Sequence, residues 1–346
     1  MRLDVVPDNV LERLVMLMGI VPTPMVQVSW GMAGASTIIA GSRLGVFEAL
    51  ADGELSALDL AARLDTHPLA TETLLNALCG FGCVDRRDGR YRNSALAAKW
   101  LAPGSKDSLH DAVLLLGLLQ DGFADLDQVV RTGKILDWHH GDHGPELWGP
   151  YLRGLGKLAK LPAGELARRV KLGPGARRLL DVGGGHGQWS AAFCARYPEL
   201  CAEVLDLPPA VPVGEAIVAQ AGMADRVRYR AGDLRTAGWG EGWDCVLIFN
   251  VIHNLSPEEC QAAAQRARTA LKPGGRLVIL EAEHRHVRDR INQAGAFAEI
   301  MCFMTSGTRA YPEATMRGWV EAAGFSGIKT WRPRFGPYMV VIEATA

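Results

Sequence analysis

The chain has 346 residues, of which 48% are hydrophobic and 22% are charged, values that are ordinary for a globular protein. They exclude a disordered chain, a collagen and a coiled coil. With 37 Lys and Arg against 38 Asp and Glu, the net charge is −1. A near-neutral protein has no electrostatic drive toward nucleic acid or anionic membranes.

The seven cysteines and the length of the apolar runs indicate in which cellular compartment the protein is expected. An odd cysteine count in a long chain favours reduced thiols over a disulfide framework. The first residues lack the basic start and apolar run of a signal peptide. Apolar stretches such as 15–21 are shorter than the roughly 18 residues that a membrane helix needs. We therefore expect a soluble, cytoplasmic protein without a membrane partner.

The start of the chain is unusually apolar. Hydrophobic residues recur at helical spacing over residues 9–50, which predicts helices there. An exposed apolar helix pair needs a cover, and a second subunit of a homodimer is a good candidate.

Residues 56–100 indicate a winged helix-turn-helix. Ser56 is a candidate N-cap for a helix over 58–64, and a second helix begins at His67-Pro68. Two short strand-like runs then flank Asp88-Gly89, which is a hairpin signal. A ligand-sensing DNA regulator is one alternative. However, residues 1–100 carry nine Lys and Arg against eleven Asp and Glu. DNA contact requires a basic face, so the charge favours a structural or dimerisation module.

Residues 101–172 form a mainly helical connector after the first domain. It contains a histidine-rich run in which three His and one Asp stand close together: His139, His140, Asp142 and His143. The run is interrupted by Gly141 and lacks the spacing of a helix-borne ligand pair. We therefore expect a loop at the edge of a pocket and no metal site.

Strand and helix signals alternate in residues 173–346. Strands are predicted at 178–182, 202–206, 227–231, 244–251 and 276–283, with helices at 188–197, 215–221 and 257–271. This alternation predicts a doubly wound parallel sheet of the α/β class. The last two strand-like runs, 327–332 and 338–344, have a short connection and should pair antiparallel.

The strongest motif is a glycine-rich loop where the first of these strands turns into a helix. Asp181 precedes glycines 183, 185 and 187, which follow a G-x-G-x-G spacing. Glycines there let the backbone approach a ligand closely. The dinucleotide fingerprint is G-x-G-x-x-G, so the spacing disfavours an NAD enzyme.

The next two strands each end in an acidic residue. Asp206 lies about 20 residues after the glycine loop, where a carboxylate can accept hydrogen bonds from ribose hydroxyls. Asp233 ends the third strand and can accept from an adenine amino group. The three strand ends converge on the crevice in which open α/β sheets bind ligands.

These motifs resemble motif I and its companions in class I S-adenosylmethionine-dependent methyltransferases. Nearly the whole chain is similar to the small-molecule O-methyltransferases with an N-terminal winged-helix dimerisation domain, such as the plant caffeate and the acetylserotonin enzymes. The most specific pieces are 181–187, 232–234, 251–255 and 272–276. The resemblance implies a Rossmann-like seven-stranded methyltransferase domain, a homodimer, and S-adenosylmethionine (SAM) as cofactor, with S-adenosylhomocysteine (SAH) as product.

The resemblance also implies site residues. Those expected to bind the cofactor are Asp181, Gly183, Gly185, Asp206, Leu207, Gly232, Asp233, Leu234, Phe249 and Asn250. His253 follows the fourth strand, and a neutral imidazole there can take the proton of a phenol. Glu281, at the end of the fifth strand, resembles the acid that orients this histidine.

Several positions depart from the family pattern. The usual His-Asp-Trp is His253-Asn254-Leu255, and the second orienting acid falls on Ala310. Glu283 is a less favoured substitute for Glu281. These departures change the groups that surround the base relative to the family pattern.

The acceptor pocket should draw on the helix over 291–306 and on the connector. Candidate substrate contacts are Trp148, Tyr151, Asn292, Phe303 and Met304. A stripe of Met and Phe on a helix is equally compatible with a core face. An apolar, aromatic-lined cavity would suit a flat aromatic acceptor.

We expect an O-methyltransferase that acts on a hydroxylated aromatic or polyketide-like metabolite. Because the second acid is missing, two alternatives stay open. One is methylation of nitrogen or carbon on the same scaffold. The other is a SAM-binding enzyme that catalyses hydroxylation, decarboxylation or cyclisation.

Overall fold

The computed structural model describes residues 4–141, 145–284, 291, 293–334 and 339–346. The chain divides into two compact units, Met1–Gln120 and Asp121–Ala346. Within the described residues, no helix is both long and apolar enough to cross a membrane.

The N-terminal unit is mainly helical and carries a three-stranded sheet. Its helices are α1 (Val10–Leu17), α2 (Thr23–Arg43), α3 (Val46–Ala49), α4 (Ala57–Leu64), α5 (Pro68–Gly80), α6 (Ala95–Trp100) and α7 (His110–Phe123), the last of which ends in the second unit. Its strands are β1 (Leu55–Ser56), β2 (Val84–Arg87) and β3 (Arg90–Asn93), in the order β1-β3-β2.

The predicted order of helix, turn, helix and hairpin is confirmed. The Ser56 hydroxyl caps α4 by accepting from the Asp59 amide at 3.1 Å. Asp88 and Gly89 both have positive φ, 49° and 75°, as a two-residue hairpin turn requires. β3 pairs antiparallel with β1 and with β2. The wing therefore packs on a helix pair, as in a winged helix.

The first two helices expose much of their apolar surface. None of the residues of α1 is buried. The exposed apolar side chains of this segment are Val10, Leu11, Leu14, Leu17, Met18, Ile20, Met25, Val28, Trp30 and Met32. So many exposed apolar side chains in one segment typically mark a surface that another molecule covers.

The C-terminal unit is a helix-flanked sheet. In chain order its elements are α8 (Leu126–Thr132), α9 (Pro145–Arg169), β4 (Arg178–Val182), α10 (Gln188–Arg196), β5 (Cys201–Asp206), α11 (Ala210–Gln220), β6 (Val227–Ala231), β7 (Trp243–Phe249), α12 (Pro257–Ala270), β8 (Leu271–Ala282), α13 (Gln293–Ser306), α14 (Glu313–Ala322), β9 (Ser326–Trp331) and β10 (Met339–Thr345).

The sheet has seven strands in the order β6-β5-β4-β7-β8-β10-β9. The first five run parallel, and β10 pairs antiparallel with both β8 and β9. The predicted doubly wound sheet and the antiparallel final pair are confirmed. Because the parallel strands all end at one edge, that edge collects their carboxyl-terminal residues.

Two predicted element starts were wrong by five residues each, whereas the other boundaries of these strands and helices lie within two residues of the prediction. α11 begins at Ala210, five residues before the predicted start, because Pro212 lies in the first turn, where a missing N–H costs no helical hydrogen bond. β8 begins at Leu271 and not at residue 276, since Leu271 already pairs with Trp243 across a shift in register. Gly274, with φ 77°, lies within this irregular start.

Apolar residues cover both faces of the sheet. On one face, Leu180 and Val182 pack with α12 and α14. On the other, Leu179 packs with Leu166 of α9 and Phe193 of α10. A central strand buried on both sides explains the continuous apolar run of β4.

Gly214 of α11 sets how closely that helix approaches the glycine loop. A Cβ at this position would lie 2.5 Å from the Gly185 carbonyl oxygen and would also meet the Tyr229 ring. The Tyr229 hydroxyl itself donates to the same carbonyl, at 3.0 Å. The absence of a side chain therefore lets α11 and β6 brace the loop.

We expect Gly214→Ala to lower the free energy of unfolding by about 1–3 kcal/mol, because the Gly185 backbone and the half-buried Tyr229 ring cannot both move away. The measurement is the midpoint of thermal unfolding. Gly318→Ala is the matched control, since Gly318 is also helical but has open space around its Cβ position. A Gly214→Ala midpoint equal to that of wild type would contradict this packing.

Candidate active site

The glycine loop between β4 and α10 is built around a buried acid. Asp181 is fully buried, and its Oδ2 accepts from the Ser190 hydroxyl at 2.7 Å. A Cβ on Gly184 would lie 2.5 Å from the Asp181 carboxyl carbon. Burial raises the pKa of Asp181 to about 7, against the Ser190 hydrogen bond, which lowers it. Its Oδ1 is buried without a hydrogen-bond partner among the described residues.

Asp206 ties the end of β5 to the same loop. Its Oδ2 accepts from the Gly185 amide and its Oδ1 from the Leu207 amide, each at 2.7 Å. Burial raises the pKa of Asp206 to about 6, and the two backbone hydrogen bonds oppose that rise. Asp206 as a whole is half-buried, in contrast to the fully buried Asp181.

The end of β6 is joined to this group through the backbone. The Gly232 amide donates to the Asp206 carbonyl at 2.8 Å. Asp233 follows, and its Oδ1 accepts from the Arg235 amide at 2.8 Å. The half-buried Leu234 packs against the sheet core. The predicted cofactor residues from three strands thus lie together at one edge.

Phe249 and Asn250 end β7 in different environments. The Phe249 side chain is buried and packs edge-on against Trp189, with 5.4 Å between the ring centroids. Asn250 is exposed, has φ 57°, and its amide donates to the Leu280 carbonyl at 2.8 Å. Asn is among the residues that best tolerate this backbone region. The sequence resemblance assigned Phe249 to the cofactor site and did not predict that its side chain lies in the core.

His253 lies in a short 3-10 turn directly after β7 and is bound to Glu281. Its Nδ1 is 2.6 Å from Glu281 Oε1, and its backbone amide donates to Oε2 at 3.3 Å. Glu281 is fully buried at the end of β8 and also accepts from the Ala282 amide. The carboxylate therefore fixes both the ring and the backbone of His253.

The Glu281 carboxylate raises the proton affinity of the His253 imidazole. Burial lowers the pKa of His253, but the charge of Glu281 and the hydrogen bond to it raise that pKa above its ordinary value. Since Nδ1 is taken by Glu281, Nε2 is the ring nitrogen that remains, and no described residue bonds to it. Such a ring can accept a proton at Nε2 and hold it.

The second orienting acid has no counterpart here. Ala310 is buried and packs with Ala282 and Ala298, so its space is apolar. Glu283 is held by Arg332, with an Nε–Oε2 distance of 2.9 Å, and makes no contact with His253. Glu281 is therefore the acid that orients His253.

The predicted acceptor residues differ in how deeply their side chains are buried. Trp148 is buried and Tyr151 half-buried, and their rings meet edge-on at 6.0 Å. On α13, Phe303 is half-buried and Met304 is fully buried. Asn292 lies outside the described residues.

Two residues near this edge were missed as functional candidates. Arg235 bonds to Glu259 and His140, and His139 lies against Tyr151. The histidine-rich run was the signal for His139. No sequence pattern pointed to Arg235, because its partner His140 lies 95 residues away in the chain.

Two family models match the chain. Residues 125–326 match an O-methyltransferase domain, and residues 27–103 match an O-methyltransferase dimerisation domain. The solved structure of human N-acetylserotonin methyltransferase, in complex with SAM, superposes with a TM-score of 0.81 at 18% identity and covers 93% of this chain and 96% of that one.

Curated relatives from Streptomyces include enzymes named for methylation of oxygen and of carbon. The 3-hydroxy-5-methyl-1-naphthoate 3-O-methyltransferase of Streptomyces sahachiroi is 30% identical over 321 residues, which is 90% of this chain and 91% of the relative. The L-tyrosine C(3)-methyltransferase of Streptomyces lavendulae is 28% identical over 280 residues, 75% of each chain.

We expect Glu281→Gln to lower the pKa of His253, because burial continues to oppose the charged ring while the carboxylate charge is lost. The measurement is a histidine NMR titration of the two proteins.

In wild type, the raised pKa of His253 stabilises the folded protein at pH values below the pKa of the unfolded histidine. This contribution to the free energy of unfolding disappears as the pH rises through the folded-state pKa.

Glu283→Gln is the matched control, since Glu283 also follows this part of β8 but pairs with Arg332. It should leave the His253 titration in place. If Glu281→Gln titrated at the same pH as wild type, the assigned contact would be wrong.

Proposed function

Because the chain belongs to the O-methyltransferase family with an N-terminal dimerisation domain, we propose that this SAM-dependent methyltransferase methylates a hydroxyl of a small aromatic or polyketide-like metabolite. One observation carries the proposal: a histidine with a buried carboxylate partner lies at the sheet edge that holds the cofactor acids. Proton removal from a hydroxyl is the step that needs this pair.

The residues at this edge fit SAM. The glycines let the loop pack tightly at the end of β4, since a Cβ on Gly184 would lie 2.5 Å from the Asp181 carboxyl carbon, and a loop without side chains lets its backbone approach a ligand. Asp206 and Asp233 supply carboxylates suited to the ribose hydroxyls and the adenine amino group. Asp181, which the resemblance also places at the cofactor, is fully buried and bonds to Ser190, so we assign it to the support of the loop. We assign the remaining contacts to Gly183, Gly185, Leu207, Gly232, Leu234 and Asn250, and to the backbone of Phe249.

His253 is assigned as the general base. Bound SAM supplies a methyl group that is already activated by a sulfonium, so the protein has to orient the acceptor and remove its proton. Nε2 of His253 takes the hydroxyl proton, and Glu281 stabilises the resulting imidazolium through Nδ1. The apolar side chains of Trp148 and Phe303 would exclude water from the acceptor oxygen.

Methylation of carbon is the second candidate. The L-tyrosine C(3)-methyltransferase relative favours it, and so does the absence of a second orienting acid at Ala310. The nature of the methylated atom in the product separates the two. A SAM-binding role without methyl transfer would give no methylated product at all.

We further infer a homodimer. The N-terminal unit matches a dimerisation domain, and its first two helices present apolar surface that a second copy would cover. The boundaries 1–100, 101–172 and 173–346 for dimerisation domain, connector and methyltransferase domain stay predictions, as does a cytoplasmic location.

We expect His253→Ala to lose at least about 100-fold in methyl transfer, which is the usual contribution of a general base. The assay uses isotopically labelled SAM with a panel of phenols, naphthols, hydroxyquinones and aromatic amines. Mass spectrometry and NMR of the product locate the methyl group. The variant should bind SAH as wild type does, which separates loss of the base from loss of the fold.

Methyl transfer by His253→Ala at the wild-type rate would remove His253 as the base. A methyl group on carbon would replace the proposed reaction by the second candidate.

We expect Asp206→Asn to weaken SAH binding at least about tenfold, because an amide cannot accept from two backbone amides and the ribose as a carboxylate does. Titration calorimetry measures the affinity. Glu203→Gln is the control, since Glu203 lies on the same strand but pairs with Arg230 near the surface. Unchanged SAH affinity in Asp206→Asn would contradict the assignment of the ribose site.

A further inference from the structure

The histidine-rich segment Leu136–His140 is fixed at both ends within the C-terminal unit. The Leu136 amide donates to the Met304 carbonyl at 2.8 Å, and the Trp138 amide donates to the Thr305 carbonyl at 3.3 Å. At the other end, an Arg235 Nη1 lies 2.7 Å from the His140 Nε2. The segment is therefore tied to α13 and to the residues that follow Asp233.

His139 lies at the centre of this segment, in a small aromatic group. Its Nε2 is 3.2 Å from the Tyr151 hydroxyl, and its ring also meets that of Trp148 edge-on. Trp138 packs edge-on against Tyr151 at 5.8 Å. Both His139 and Tyr151 are half-buried, so each retains some open surface.

Charges from both sides of the crevice act on this pair. Burial, and next the charge of His253, lower the pKa of His139 to about 4. His140 and Arg235 lower it further, and Asp137 opposes them. Burial, and next the charge of Asp206, raise the pKa of Tyr151. The pair is thus uncharged near neutral pH and lies within electrostatic range of both the base and the ribose acid.

The hydrogen-bond capacity of the pair does not depend on the tautomer of His139. If the tyrosine hydroxyl donates to Nε2, then Nδ1–H remains as a donor and the phenol oxygen as an acceptor. If Nε2–H donates instead, then the hydroxyl remains as a donor and Nδ1 as an acceptor. Either way, one donor and one acceptor are left, and no described residue bonds to Nδ1.

We propose that His139 and Tyr151 bind a second, uncharged oxygen of the acceptor, a hydroxyl or a carbonyl, while His253 takes the reacting hydroxyl. One donor and one acceptor match a hydroxyl, and the donor alone matches a carbonyl. Arg235, a cation that reaches this segment, is already paired with Asp233 and Glu259, so a carboxylate would gain little counter-charge from it. This inference rests on the proposed function and narrows its substrate class.

The test measures binding of acceptors, so that it does not depend on methyl transfer. Titration calorimetry in saturating SAH compares 2-naphthol with the isomeric dihydroxynaphthalenes and with 3-hydroxy-1-naphthoate. We expect the best dihydroxynaphthalene to bind wild type about tenfold more tightly than 2-naphthol, which is the effect of one or two added hydrogen bonds. The naphthoate should gain nothing over 2-naphthol.

Substitutions of His139 and Tyr151 test whether this pair causes the preference for dihydroxynaphthalenes. His139→Phe and Tyr151→Phe should each remove most of the tenfold preference, and His139→Asn should restore part of it, since an amide places a donor and an acceptor near the Nδ1 position. His284→Gln is the matched control, because the His284 ring is half-buried like that of His139, and its ring is bound by Glu299, outside both the His139–Tyr151 pair and the His253–Glu281 pair. It should keep the wild-type preference.

Three results would overturn the inference. The first is equal or absent binding of 2-naphthol and every dihydroxynaphthalene by wild type. The second is an unchanged preference in His139→Phe and Tyr151→Phe. The third is weaker SAH binding in both variants, which would place the pair in the cofactor site. If dihydroxynaphthalenes bind as expected but accept no methyl group, the proposed function fails while this binding site stands.

Discussion

The parallel register of the five strands from β6 to β8 is the constraint on which the whole site depends. Because these strands end at the same edge, residues far apart in the chain arrive within hydrogen-bond reach there. Backbone bonds then lock neighbouring strand ends to each other, from Gly183 to Leu205 and from Gly232 to Asp206. Glu281 does the same with its side chain, because it holds both the ring and the backbone of His253. The positions of the site residues therefore follow from the geometry of the sheet.

Burial divides the acids at this edge into two roles. Asp181 and Glu281 are fully buried and bond to the protein, so they organise the loop and the histidine. Asp206 is only half-buried, which suits a ligand contact. His253 has a raised pKa because its carboxylate partner outweighs burial, whereas His139 has a lowered pKa because burial dominates. Two histidines at one site thus have pKa values shifted in opposite directions.

Much of the fold was predictable, because its signals are local. The bounds of β4 and β6 match the prediction, since each is a short strand-like run between clear turns. The His253–Glu281 contact followed from the resemblance and from the position of both residues at strand ends. The start of α11 was not predictable from its helix-breaking residues. Pro212 is tolerated because it lies in the first turn, and Gly214 is tolerated because the helix packs closely on the glycine loop there. The Arg235–His140 bond and the burial of Met304 depend on tertiary contacts that no local pattern encodes.

The most direct test of the central claim is the pH dependence of single-turnover methyl transfer in wild type and in Glu281→Gln. A neutral His253 must accept the proton, so the wild-type rate should fall as the pH drops through the His253 pKa. The midpoint should lie at lower pH in Glu281→Gln, because the group that raises this pKa is gone. A rate that does not depend on pH, or an identical midpoint in the two proteins, would contradict His253 as the base that Glu281 supports.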